Sequence, residues 1–267
     1  MKKEIREIKN GVCQITTLDE RWYSKESKSR KTKLPEIKFY PSSTWIAGHY
    51  PKGIAFYKWL ANKGWDEAEA VKQAAGDKGS KVHYACESLI SGKEIKMDSR
   101  FINPTSGLDE ELSVEEYECL MSFNDWLIEA DPQILAVEIT AFNDVEEYAG
   151  TADLICKIND QLYVIDLKTS KEIWEEHKLQ ISSYSYLDFP LKDLGISEKE
   201  WKERKLAILQ LGYKRNKKGF KFTEVEDKFS MFLIAKQLWA NENPDAKPKQ
   251  RDYPVSLKWS TKKKYVK

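Results

Sequence analysis

Apolar positions in the first half of the chain recur three and four residues apart, the spacing of a helix with one buried face. The stretch GSKVHYACESLISG predicts such a helix: Ser80 is placed to cap its start, Val82, Cys86 and Leu89 form its stripe, and Gly92 can close it. A shorter helix ended by Gly76 precedes it, and an aromatic helix is expected over residues 52–63. SVEEYECLMSFNDWLIEA reads as a long helix from 113 to 130, stopped by Pro132. Beyond that point the period changes. Residues 133–142, 147–158 and 161–169 read as strands, and the third is apolar on both faces, as in a central strand covered on both sides. A helix over 174–187, a strand over 205–213, a return strand over 219–225 and a helix over 227–241 follow. This order predicts an α/β fold in which a central β-sheet is flanked by helices. It divides the chain into a helical N-terminal extension (1–132), a core (133–242) and a basic irregular tail (243–267). Residues 24–36 and 93–110 are polar and are expected to be irregular.

Composition adds little until charge is followed along the chain. The 267 residues are 41% hydrophobic, enough for a sizeable core, and no run approaches the length of a membrane span. Residues 1–33 hold 10 Lys/Arg against 5 Asp/Glu, and residues 241–267 hold 8 against 3. Each end therefore carries +5, which leaves −9 for the middle of a chain whose net charge is +1. Basic ends around an acidic middle fit a metal-binding centre flanked by phosphate-attracting segments, although terminal lysines also simply keep chain ends soluble. The four cysteines, Cys13, Cys86, Cys119 and Cys156, form no CxxC pair. They read as reduced thiols of a cytoplasmic protein rather than a disulfide framework or a zinc site.

The second and third strand-like runs are YAGTADLICKI and QLYVIDLKT, joined at Asn159-Asp160. They place charge where strand interiors should be apolar. Asp166 and Lys168 lie on one strand face, and counting outward from the turn sets Asp153 opposite Asp166. Two close carboxylates repel, and burial disfavours both charges. A hard divalent cation removes the conflict, since Mg²⁺ takes carboxylate oxygens and keeps waters and phosphate as its other ligands. Lys168 beside it would orient a water or offset phosphate charge, a constellation for phosphodiester hydrolysis. Taken alone, the D-x-K tripeptide fits a plain ion pair, Asp153–Lys168 or Asp166–Lys168, better than a catalytic site. On the following helix, His177, Gln180 and Tyr184 share a face suited to hydrogen bonding and to stacking on a base.

Wider context favours the chemistry. Gly150-Thr151-Ala152-Asp153, then Asp166-Leu167-Lys168-Thr169-Ser170, then Gln180 and Tyr184 four residues on, with Gly79 and His83 upstream, resembles the PD-(D/E)xK nucleases. The likeness is nearest to their RecB-like exonuclease branch, which includes the mitochondrial genome maintenance exonuclease and phage exonucleases. It spans about residues 41–188 and departs from the family name in having Ala152 for the proline. The resemblance implies a restriction-endonuclease-like core with a central mixed sheet. It implies that Asp153, Asp166, His83 and the Leu167 carbonyl are metal ligands, Lys168 the catalytic lysine, and Gln180 and Tyr184 DNA-binding residues. Glu138, in a strand, and Glu87, one turn from His83, are further candidate site carboxylates. The implied activity is a Mg²⁺-dependent DNA exonuclease, with Mn²⁺ able to substitute, that acts on DNA with free ends in repair, recombination or phage DNA processing in a bacterial or phage-encoded setting. An endonuclease or flap-cleaving enzyme with the same site, and an inactive nucleic-acid-binding relative, are the alternatives.

Overall fold

Asn159 and Asp160 both adopt positive φ, 48° and 63°, the conformation that a two-residue hairpin turn requires and that these side chains tolerate best. The hairpin they close is the centre of the fold. The computed structural model describes residues 4–9, 12–17, 20–28 and 35–249. In chain order its elements are β1 (Glu4–Lys9), β2 (Val12–Thr16), β3 (Arg21–Lys28), β4 (Pro35–Pro41), α1 (Ser43–Ala47), α2 (Ile54–Lys63) and α3 (Trp65–Ile90). Then come β5 (Arg100–Ile102), β6 (Asp109–Glu111), α4 (Val114–Ala130), β7 (Gln133–Asn143), β8 (Tyr148–Ile158) and β9 (Gln161–Lys168). The last are α5 (Glu175–Tyr184), α6 (Glu198–Lys202), β10 (Lys205–Leu211), β11 (Phe220–Val225) and α7 (Phe229–Glu242).

Five strands form the central sheet in the order β11-β10-β9-β8-β7. β9 and β10 run parallel, joined by the crossover through α5 and α6, and the other pairs are antiparallel. The sheet is therefore mixed and flanked by helices. Helices α1, α5 and α7 cover one face, with Ile46, Leu179, Ile181 and Phe232 packed on Ile155, Val164 and Ile208. Helices α3 and α4 cover the other, with Val82, Cys86, Phe123 and Trp126 on Leu154, Ile165 and Leu209. Burial on both faces is the reason β9 and β10 read as nearly continuous apolar runs.

Four expectations need correction. The N-terminal region is not wholly helical: β1 to β4 form an antiparallel sheet in chain order, so part of the polar 24–36 segment is strand. Its strands are short and rich in charge, and their partner is one another, which a local pattern does not reveal. This sheet is latched to the core by Trp22, whose ring meets Trp45 of α1 at 5.1 Å and Trp239 of α7 at 5.6 Å, both edge-on. The two helices expected on either side of residue 76 are one, the 26-residue α3. Ser80 is not its cap but bonds back to the Gly76 carbonyl at 3.1 Å. The 93–110 segment holds the β5–β6 hairpin. Helix α4, by contrast, begins at the expected Ser113, whose side chain and that of Glu116 cap one another's backbone amides. All four cysteines are free thiols, and among the described residues no helix is long and apolar enough to cross a membrane. Most of the basic tail, residues 250–267, lies outside the described residues.

Gly150 on β8 is a tight point of the packing between β8, α1 and α5. A Cβ there would lie 2.7 Å from Tyr184 Cε1 and 2.8 Å from Ser43 Oγ. Gly150→Ala should therefore destabilise the protein by about 1–3 kcal/mol through overpacking, read as a lowered midpoint in thermal or urea unfolding. An unchanged midpoint would mean that the Tyr184 ring moves aside at no cost.

Candidate metal centre

The β8–β9 ladder ends at Leu154↔Ile165. Two residues further along β9, the Leu167 amide donates not to backbone but to Asp153 Oδ2, at 2.7 Å. A side chain thus takes a ladder position, and the strands are free to part there. Continuing the register by one step sets Asp153 opposite Asp166, as the turn count predicts. On the other side, Val137↔Leu154 and Ile139↔Ala152 bracket Glu138 and Asp153. Glu138, Asp153 and Asp166 therefore form a row across three neighbouring strands. Glu138 holds φ at 47° within its strand, a conformation that costs a non-glycine residue about 1–3 kcal/mol. Strain of this kind persists where surrounding structure holds it, and here the side chain is turned toward His83.

Helix α3 delivers His83 to this row. Its Nδ1 lies 3.3 Å from Glu138 Oε1 and 3.5 Å from Asp153 Oδ1, and its Nε2 lies 3.2 Å from the Leu167 carbonyl oxygen. Ligand atoms of His83, Glu138 and Asp153 all fall within 4.8 Å of one another. An octahedral ion with bonds of about 2.1 Å sets adjacent ligands about 3 Å apart, so these spacings suit one cation between them. Two carboxylates, an imidazole and a carbonyl match Mg²⁺ or Mn²⁺ chemistry better than that of thiolate-seeking ions. Asp166 lies beyond this group, on the adjacent strand. It is completely buried, its Oδ2 lies 2.6 Å from Lys168 Nζ, and among the described residues neither of its oxygens accepts a well-directed hydrogen bond. The residues present fit a cation site with ligand capacity to spare.

The charges are tuned in opposite directions. Burial pushes Asp166 up to about 6, with Lys168 pulling it down and Asp153 pushing it further up. Burial also works against the Asp153 carboxylate, but His83, Lys168 and the Leu167 amide outweigh it and hold this acid below its ordinary range. Glu138 is raised, chiefly by burial, against the pull of His83. His83 is raised well above 6.5, since Asp153 and Glu138 overcome its desolvation. The protonated imidazole thus balances two carboxylates. Coordinating a metal through it requires that proton to leave, so metal uptake should weaken toward low pH.

The structure brings His83, Glu138, Asp153 and the Leu167 carbonyl together, with Asp166 and Lys168 beside them. Glu87 stays outside the ligand group and pairs with neither His83 nor a metal position; it is felt only as a negative charge near Glu138. Gln180 and Tyr184 lie inward. Tyr184 is 3% exposed, its ring packs against Gly150, and its hydroxyl accepts from Gln180 Nε2 at 2.5 Å. The expected stacking of Tyr184 on a base therefore lacks an open ring face. Because α5 packs on the sheet through this side, the pair lies in the wall behind the carboxylates instead. Tyr184 stays a protonated phenol there, raised by burial and then by Asp166 and Asp153. Sequence reading missed a hydroxyl chain along the site's edge: Thr140 to Thr151 at 2.7 Å, and Thr151 to Tyr23 of β3 at 3.0 Å. Nothing local links these three residues, since only the sheet register and the docking of the N-terminal strands join them.

Neither a scan against protein-family models nor a search of curated proteins finds a match to this chain. Its functional reading therefore rests on the site itself.

Asp166 yields a test of this electrostatic picture. Its folded-state value of about 6 lies above the ordinary unfolded value of about 3.9. Between those values the folded state holds a proton that the unfolded state has released, so stability falls as pH rises through the window and stays reduced above it. In metal-free solution Asp166→Asn should thus unfold at a higher urea concentration than the wild type at pH 7.5. The gap should shrink toward pH 4. A variant less stable than the wild type at pH 7.5 would show that the Lys168 pairing outweighs the burial.

Proposed function

We propose that the protein is a divalent-metal-dependent phosphodiester hydrolase acting on DNA, an exonuclease of the RecB-like PD-(D/E)xK type. The observation that carries this reading is the convergence of His83, Glu138, Asp153 and the Leu167 carbonyl where β8 and β9 part, with the Asp166–Lys168 pair on the adjoining face. His83, Glu138 and Asp153, with the Leu167 carbonyl beside them, would hold the ion, and Asp166 on the adjoining strand would add a further carboxylate to it. When bound, Mg²⁺ lowers the pKa of a water and offsets charge on the phosphodiester.

The chain's own residues carry the rest. Asp153 fixes the Leu167 peptide by accepting a hydrogen bond from its amide, and His83 steadies the carbonyl of the same residue. Lys168 keeps its ammonium beside Asp166, where it orients a water for attack on phosphorus and offsets charge as the P–O ester bond breaks. The products are an alcohol and a phosphate monoester. The dry wall of Tyr184 and Gln180 behind the carboxylates keeps bulk water from screening these charges.

The test is incubation of end-labelled linear and closed circular single-stranded DNA with Mg²⁺ or EDTA. Linear DNA should be consumed only with the metal, and the circle should resist an enzyme amount that consumes the linear form. Asp166→Asn and Lys168→Ala should each lower turnover at least about a hundredfold, in keeping with the loss of a charged group from a preorganised site. Asp166→Asn should also weaken Mg²⁺ binding in calorimetry, whereas Lys168→Ala should leave it near the wild-type value. Near wild-type turnover in either variant would overturn the site assignment. Rapid cutting of the circle would replace the exonuclease reading with the endonuclease one.

A further inference from the structure

Helix α2 is an anomaly of burial. Its ten residues, IAFYKWLANK, include five large apolar side chains, yet none of the ten is buried. Phe56 is 39% and Tyr57 53% exposed, and the rings that Phe56 meets among the described residues are its own neighbours Tyr57 and Trp59, at 5.6 and 5.8 Å between ring centres. A soluble helix normally hides such a stripe, and a helix this short gains little stability on its own. Among the described residues nothing buries Ile54, Phe56 or Tyr57, whereas Trp59 and Leu60 are half-buried. Trp174, at the start of α5, is likewise 55% exposed.

The two features adjoin one another and the candidate metal centre. Lys52, just ahead of α2, forms an ion pair with Glu176 in the first turn of α5 and sits 5.9 Å from the centre of the Phe56 ring. The next residue, His177, is pushed down to about 3, first by burial and then by the charges of Lys168 and Lys52. Trp174 and Glu176 lie six and eight residues after Lys168, on the connection from β9 into α5, so the Lys52–Glu176 pair ties the start of α2 to the segment that leaves the candidate metal centre. Residues 49–64 also carry three lysines and no aspartate or glutamate, in a chain with 43 acidic residues.

We propose that α2 and Trp174 form a stacking surface for the unpaired bases of a nucleic-acid strand whose backbone enters the candidate metal centre; this rests on the nuclease reading. Aromatic rings accept any base by its flat face, and Lys58, which has no acidic partner among the described residues, can attract the backbone, whereas Lys52 is paired with Glu176 and Lys63 with Glu67. A protein partner would have no reason to sit beside the segment that follows the strand of Lys168, whereas a nucleic-acid strand bound for the metal centre must pass there. The basic run at Lys25 to Lys33 is a poorer path for such a strand. Lys25 is held by Asp144 at 2.9 Å and lies over the Phe142 ring, and residues 29–34 lie outside the described residues.

The test measures binding apart from cleavage. A fluorescein-labelled oligothymidylate of about 12 nucleotides is titrated with protein in EDTA at low salt and followed by anisotropy. The combined variant Phe56→Ala, Tyr57→Ala, Trp174→Ala should bind at least about tenfold more weakly than the wild type, as expected for losing more than one base stack. Its unfolding midpoint should not move, because these side chains are exposed. The wild type should prefer the single strand over a blunt duplex of equal length. Affinity within twofold of wild type in the variant would overturn the proposal. So would a wild-type dimer in light scattering that the variant converts to monomer, which would assign the face to a second copy of the chain. The nuclease reading fails separately, in wild-type cleavage of linear DNA with Mg²⁺, an assay these substitutions do not enter.

Discussion

A carboxylate sealed from water at the end of a central strand is the constraint around which this protein is arranged. Asp166 is fully buried, and Asp153, 7% exposed, lies opposite it. Burying such charges costs several kcal/mol each unless they are paired and hydrogen-bonded. The surrounding groups answer that cost unevenly. Asp153 is satisfied by the Leu167 amide and by His83, while Asp166 has only the ammonium two residues along its own strand. A pair selected for stability alone would be better replaced by apolar side chains of the same volume. Its presence, beside a glutamate held at φ 47°, is what makes this end of the sheet the candidate site.

The layers of the fold serve to hold this row of carboxylates at a gap in the sheet. Packing on both faces excludes water from β9 until its last turn of residues. The same packing lets α3 present His83 from one layer and α5 present Gln180 and Tyr184 from the other. The N-terminal sheet adds a third support, since Trp22 ties it to α1 and α7 while Tyr23 reaches Thr151. The site is thus built from segments far apart in sequence, each rigid through its own hydrophobic contacts.

Aromatic residues are divided between two tasks. Trp22, Trp45, Trp239, Phe123 and Trp126 interlock inside the protein, where their area stabilises the layers. Phe56, Tyr57 and Trp174 face solvent beside the metal centre, where the same area stabilises nothing within the described residues. That contrast, rather than the number of rings, makes the outer surface a candidate for contact with a substrate strand.

Much of this was legible locally. The Asn159-Asp160 turn between two strand-like apolar runs determined the β8–β9 hairpin, and counting outward from that turn put Asp153 opposite Asp166, because side-chain direction in a strand is set by counting. The Ser113 cap and the apolar stripe at Val82, Cys86 and Leu89 were equally local, since helix starts and buried faces depend on near neighbours. Three features were not. Glu138 could be named as a candidate carboxylate, but its place beside His83 comes from the β7–β8 register and a backbone angle that no residue type announces. The sheet of β1 to β4 exists because its charged strands pair with one another and dock through Trp22. Tyr184 and Gln180, whose helical spacing is plain in the sequence, turn inward because α5 packs that face on Gly150. A sequence specifies which residues share a face; which face is buried depends on what lies opposite, and only tertiary packing decides that.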